Sequence, residues 1–128
     1  MRSLRTDPVA ARLEAMGFDR SAAVQLSLGG TLLDVAGGRT ICREGEFGLE
    51  AFLILEGKVR VLLDDRTVTL GRGDVFGELA VLDPTRTRNA TVEADTDLTL
   101  LVFDVRTFRT LAHLEGLRAR LAPTRTAA

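Results

Sequence analysis

The segment Phe76-Gly77-Glu78-Leu79-Ala80-Val81-Leu82, followed by Arg88-Asn89-Ala90-Thr91-Val92, carries the most specific chemistry in the chain. A glycine precedes an acid, an apolar run long enough for one helical turn follows, and a guanidinium returns shortly after it. A small phosphorylated sugar needs such a set. Backbone N–H groups at the start of a helical turn receive an anion. A guanidinium grips phosphate oxygens as a fork, and a carboxylate accepts from a ribose hydroxyl. Gly77 lets the main chain approach the sugar with no Cβ in the way.

Each of these residues also has a plainer reading. Arg88 could form a surface ion pair with Glu93 or Asp83, and Glu78 could serve only as a favourable charge at a helix start. Arg86, in the loop Asp83-Pro84-Thr85-Arg86-Thr87, competes with Arg88 as the phosphate ligand. Other chemistries find little support. His113 is the single histidine, which leaves no His-rich metal site, and it is expected to flank the terminal helix. Cys42 is the single cysteine, so no internal disulfide forms. It falls in an expected strand and reads as a small buried hydrophobe. No nucleophile–base pair has interpretable spacing, so no catalytic residue, no metal and no enzyme activity are expected.

The chain has 128 residues, 45% of them hydrophobic and 27% charged, which fits one soluble domain with a single core. A net charge of -1 gives no global attraction to nucleic acid or to an anionic membrane. No apolar run approaches the roughly 20 residues that cross a bilayer. Met1-Arg2-Ser3-Leu4-Arg5-Thr6-Asp7-Pro8 lacks the apolar stretch of a secretory signal. The expected location is the cytoplasm.

Turn signals show what must position the site. Residues 1–18 read as a helical segment, with Ala10-Ala11-Arg12-Leu13-Glu14-Ala15-Met16 ended by Gly17. Asp19 or Ser21 caps a second helix that Gly29-Gly30 stops. From Thr31 to Phe103 short apolar runs are separated by Gly and Asp. The runs are Thr31–Val35, Thr40–Arg43, Ala51–Leu55, Lys58–Leu63, Thr67–Leu70, Ala90–Ala94 and Leu98–Phe103. Short strands with a turn between each indicate a sandwich or barrel. In Lys58–Leu63, alternation turns Val59, Val61 and Leu63 to one side and Lys58 and Arg60 to the other. The segment around Glu78 interrupts this repetition, and such departures are often functional. After Phe103 helix returns: Phe108, Leu111, Ala112 and Leu114 form an apolar stripe that Leu117 and Leu121 continue over Gly116. Residues 123–128 are expected to be a loose tail. Arg106, Arg109, Arg118, Arg120 and Arg125 are assigned to the solvated face of this helical end.

These pieces resemble the cyclic-nucleotide-binding domain family, the effector module of the catabolite activator protein and of protein kinase A regulatory subunits. The resemblance runs from about Asp19 to Leu121. It rests on four parts in order: Arg43-Glu44-Gly45-Glu46, then Phe52-Leu53-Ile54-Leu55-Glu56-Gly57-Lys58-Val59, then Gly71-Arg72-Gly73-Asp74-Val75-Phe76-Gly77-Glu78-Leu79-Ala80, and finally Arg88-Asn89-Ala90-Thr91-Val92. It implies a mainly β fold, an eight-stranded jelly roll with N-terminal helices, an inserted phosphate-binding cassette helix and a short C-terminal helix. The domain would cover residues 19–122.

In the resemblance, Glu78 corresponds to the acid that accepts the ribose 2′-hydroxyl and Arg88 to the arginine on the cyclic phosphate. The amides of Leu79, Ala80 and Asn89 become its neutral donors, Gly77, Ala90 and Thr91 complete the cassette, and Val61, Leu70 and the Leu79 side chain wall the base. The cassette's length matches the bacterial regulators, which favours Arg88 over Arg86. Asn89 departs from the small or hydroxyl residue often found there, so the choice between cAMP and cGMP rests on analogy, with cAMP the default. No further cofactor is implied. The family's long C-terminal lid is reduced here to Leu114–Ala122, and no DNA-binding helix-turn-helix is expected after it.

The resulting expectation is a stand-alone cyclic nucleotide receptor, monomeric or weakly dimeric, that signals by helix rearrangement to a separate protein partner. A fold-retaining interaction module without nucleotide, and a receptor for another small anion, are the alternatives.

Overall fold

The computed structural model describes residues 7–121; the first six residues of the N-terminal segment and the expected tail at 123–128 lie outside the described residues, as does Ala122. Two helices come first. Helix α1, Pro8–Ala15, starts at Asp7, whose carboxylate accepts from the amides of Val9 and Ala10, and Pro8 occupies a position where a missing N–H costs nothing. Helix α2, Arg20–Gly29, is capped by Asp19, which accepts from Ala22 N–H at 2.8 Å. Of the two capping candidates, Asp19 is the one used. Ser27 on α2 donates its hydroxyl to the buried Asp7 carboxylate and so ties the two helices together.

Eight strands follow: β1 (Thr31–Val35), β2 (Thr40–Cys42), β3 (Glu50–Glu56), β4 (Val59–Leu62), β5 (Thr67–Leu70), β6 (Val75–Phe76), β7 (Thr91–Ala94) and β8 (Leu98–Asp104). They form two four-stranded antiparallel sheets, ordered β1-β8-β3-β6 and β2-β7-β4-β5. The seven runs visible as turn-bounded segments are all strands. The eighth, β6, is two residues long and pairs Phe76 with Phe52 and Val75 with Leu53; a segment so short shows no period of its own.

The long central strand β3 is buried on both faces over Ala51–Leu55, and this divides the interior in two. Phe52 and Ile54 face the inside of the roll with Cys42, Val59, Val61, Leu70, Phe76, Val92 and Leu100. Leu53 and Leu55 face the helices, where Leu13, Leu26, Phe103, Phe108 and Leu117 pack with them. As expected from alternation, Val59 and Val61 are fully buried inside the roll, while Arg60 turns out to pair with Glu93 at 3.2 Å and Asp95 at 2.7 Å.

A five-residue helix, α3 (Glu78–Leu82), interrupts the strands between β6 and β7. The C-terminal stripe is not one helix. Helix α4 (Val105–Leu111), capped by Asp104 on Thr107 N–H, ends at Ala112, and α5 (Glu115–Arg120) begins after Leu114. The break lets Phe108 and Leu111 from α4 and Leu117 from α5 enter the same helical core. Truncating a buried leucine such as Leu117 costs about 2–5 kcal/mol, so burial there outweighs the lost continuity of a short helix.

Candidate functional site

Gly77 opens the site. Its φ of +81° is a left-handed conformation that glycine adopts without strain, and it turns the chain from β6 directly into α3. The turn leaves Glu78 1% exposed and Ala80 4% exposed, with Leu79 half-buried. With one turn, α3 has little macrodipole to offer; what it presents are local amides not consumed by helical bonding.

Arg88 returns to this turn from the far side of the exposed loop 82–87 and is only 7% exposed. Its Nη1 donates to Gly77 O at 2.7 Å and its Nη2 to Glu50 O at 2.9 Å, while the guanidinium carbon lies 5.9 Å from the centre of the Phe52 ring. The surface pairing with Glu93 or Asp83 is therefore not what Arg88 makes: Glu93 is held by Arg60, and the Asp83 carboxylate accepts from the Thr85 hydroxyl and amide. Those bonds hold the Asp83 carboxyl below its usual range. Arg86, the competing arginine, is exposed on the loop.

The backbone of Arg88 is splinted as well. Arg88 N–H donates to Glu46 O at 2.7 Å, Gly45 N–H donates to Arg88 O at 2.9 Å, and Phe47 bridges to Thr87. The early turn at Arg43–Glu46, which sequence reading recognised only as part of a pattern, thus has a physical role: it fixes the main chain that carries the guanidinium. Thr91 adds to the same splint, its hydroxyl accepting from Glu44 N–H at 3.1 Å. Asn89 is exposed beside Arg88, and Ala90 is buried under it. Among the residues expected at the site, Gly77, Glu78, Ala80, Arg88 and Ala90 lie buried in one neighbourhood, and Val61 and Leu70 belong to the roll interior that Phe52 and Phe76 close beneath it.

Two participants were missed, and Cys42 is the buried residue it was expected to be. Glu50 contributes its carbonyl and Phe52 its ring, and neither choice leaves a signal in local spacing. Cys42 lies in the roll interior within the fields of Arg88, Glu50, Glu46 and Glu78. Burial pushes its thiol up to about 11, against the opposing pull of the Arg88 charge. The site is thus connected electrostatically to the sheet behind it.

A second link leads outward. Arg109 of α4 donates its Nε to Val81 O on α3 at 3.3 Å. Arg120 of α5, assigned to the solvated face from sequence, is instead partly buried and donates to Gly73 O at 2.9 Å and to Met16 O, over the Phe18 ring at 4.5 Å. The reason is that Arg120 lies between the end of α1 and the turn joining β5 to β6, and each offers it one backbone carbonyl, that of Met16 and that of Gly73. The buried residue of α5, Leu117, points into the helical core, the cluster to which Val81 of α3 also belongs.

A double-sheet roll whose inserted turn holds a buried Glu–Arg neighbourhood is a jelly-roll binding module. Its sequence sharpens this: the family description "cyclic nucleotide-binding domain" matches residues 32–114, and the chain belongs to that family. A cyclic nucleotide-gated potassium channel of Rhizobium etli is 48% identical over 52% of this chain and 19% of its own length. The cAMP-dependent protein kinase regulatory subunit of Schizosaccharomyces pombe is 43% identical over 58% of this chain and 18% of its own. The chain therefore spans about a fifth of each of these relatives. Among solved structures, the regulatory subunit of a cAMP-independent protein kinase A from Trypanosoma brucei superposes with a TM-score of 0.70 at 28% identity, covering 94% of this chain and 42% of that one. No helix among the described residues is long and apolar enough to cross a membrane.

Proposed function

We propose that this chain is a receptor for a cyclic nucleotide, cAMP before cGMP, that binds in the cassette and signals through its helices to a separate protein partner. The observation that carries the reading is the position of Arg88. A buried guanidinium is anchored on Gly77 O, one residue from the buried Glu78 carboxylate, by a loop whose backbone is itself pinned to the 43–46 turn. A cyclic phosphodiester bears one negative charge, which one arginine matches. Arg88 has five N–H donors, and the two carbonyl bonds leave others for phosphate oxygens. The amides of Leu79, Ala80 and Asn89 supply neutral donors around the same anion. Glu78 accepts from the ribose hydroxyl, and the apolar wall at Val61 and Leu70 takes the base. The binding chemistry needs no further cofactor and no bond is made or broken, so the role is regulatory.

The preference for cAMP rests on the fungal regulatory subunit that the chain resembles. Signalling rests on the Arg109–Val81 bond: a ligand that repositions α3 also repositions the carbonyl to which α4 is tied. The ligand then biases two helix arrangements by its differential affinity for them.

A fold-retaining interaction module is the second reading. It is favoured by Phe47 and Leu49, 68% and 72% exposed beside α3, and by the likeness to a regulatory subunit that is described as cAMP-independent. Thermal melts with cAMP, cGMP and 5′-AMP separate the two. At one hundred times its dissociation constant a ligand adds about 2.7 kcal/mol, or roughly 5–15 °C for a domain of this size. The receptor reading expects that shift with a cyclic nucleotide and a much smaller one with 5′-AMP. No shift with either cyclic nucleotide at millimolar concentration leaves the interaction module.

A further inference from the structure

We infer that Gly48 is a positioning residue for phosphate recognition: its missing side chain is the slot in which the Arg88 guanidinium lies. The inference rests on the cyclic-nucleotide reading of the cassette. Gly48 is buried in the turn between β2 and β3, and a Cβ built on it would lie 2.5 Å from Arg88 Cζ and 2.7 Å from Arg88 Nε. Real contacts of this kind are essentially not found below 3.0 Å, so the guanidinium would have to shift from its place on the Gly77 and Glu50 carbonyls.

Gly77 approaches the same guanidinium at its Nη1 end. A Cβ there would lie 2.6 Å from Arg88 Nη1. Both glycines therefore leave room for one planar group, and the carbonyls of Gly77 and Glu50 fix its rotation. They differ in an instructive way. Gly77 is left-handed, so any side chain there also strains the backbone. Gly48 is not among the positive-φ glycines, so alanine fits its backbone and the cost of substitution falls on what the new methyl touches.

The next nearest atom to the methyl is Ala80 Cβ, at 2.8 Å. The test therefore uses Gly48→Ala against wild type and, in an Ala80→Gly background that removes the overlap with Ala80 Cβ, against Ala80→Gly alone. Affinity for cAMP and cGMP is measured by calorimetry on the full chain. The Arg88 Nε–H resonance is followed by NMR in the ligand-free protein. The expected result is a loss of affinity on the order of 10- to 100-fold, the usual consequence of moving a recognition group by about 1 Å, of similar size in both backgrounds. The Nε–H resonance should shift and exchange faster in both.

Two results overturn the inference: an affinity loss that disappears in the Ala80→Gly background, or an Nε–H signal unchanged by Gly48→Ala. If the wild-type chain binds neither cyclic nucleotide, the receptor reading falls with the affinity arm. The resonance of the ligand-free protein still decides whether Gly48 holds Arg88.

Discussion

Arg88 and Arg120 satisfy the same physical demand in two regions of the molecule. Each guanidinium is drawn out of water, donates to two backbone carbonyls, one of them from a positive-φ glycine, and lies over a phenylalanine. For Arg88 those partners are Gly77, Glu50 and Phe52; for Arg120 they are Gly73, Met16 and Phe18. The difference lies in the setting. Beside Arg88 stand the buried Glu78 carboxylate and a short helical turn with amides to spare. Beside Arg120 stand the end of α1 and the β5–β6 turn, each offering one carbonyl, and burial there lowers the pKa of its guanidinium while the Asp74 charge opposes the drop. A buried arginine on carbonyls is therefore no signature of binding by itself. In the proposed reading, it is a neighbouring acid and an adjacent source of amides that suit the same arrangement to an anionic sugar.

The comparison can be broken at either end. Replacing Arg120 by leucine removes two charge-assisted bonds and should destabilise the protein by about 2–4 kcal/mol, while leaving nucleotide affinity where it was. A melt and a titration on the same sample check both halves, and a large affinity loss at unchanged stability would erase the distinction. Glu78→Gln retains the shape of the side chain but loses its charge. A hydrogen bond to a charged group contributes about 1.5–3 kcal/mol, so affinity for a cyclic nucleotide should fall roughly 10- to 150-fold. The affinity of the Gln variant relative to wild type is the readout, and equality would remove Glu78 from the ribose.

A smaller effect is expected at Cys42. With its thiol pushed up from its ordinary 9.0 to about 11, the folded state holds the proton more tightly than the unfolded chain does. The stability from this group is thus fully present below pH 9 and is lost as the pH rises towards 11. Alkylation at pH 8 should be slow until denaturant is added. Arg88 acts to lower this thiol, so Arg88→Leu should push its titration higher still. A titration of Cys42 that ignores Arg88 would disconnect the sheet from the cassette.

Much of this was legible because it is local. Turn residues punctuate β1 to β5, β7 and β8, and a glycine–acid pair before a one-turn apolar run marks Gly77–Leu82. Arg88 was preferred to Arg86 through the resemblance to the bacterial regulators' cassette, and of the two it is Arg88 that is buried and Arg86 that is exposed. What escaped is long-range. Arg120 reaches Met16 across 104 positions and Arg88 reaches Glu50 across 38, and no spacing rule connects such pairs. Helical periodicity likewise treated Phe108 to Leu121 as one stripe. The break at residues 112–114 arises because Phe108 and Leu117 must both reach a core whose shape is set by β3 and the first two helices.

The most direct test is a calorimetric titration of Arg88→Leu with whichever cyclic nucleotide stabilises the wild-type chain more, alongside a melt of the ligand-free variant. Loss of one partner from a buried ionic hydrogen bond costs about 2–5 kcal/mol, or roughly 30- to several-thousand-fold in affinity. The account predicts no measurable binding by a variant that still melts cooperatively, because the 43–46 turn continues to hold the backbone at position 88. Binding by Arg88→Leu with wild-type affinity would contradict it.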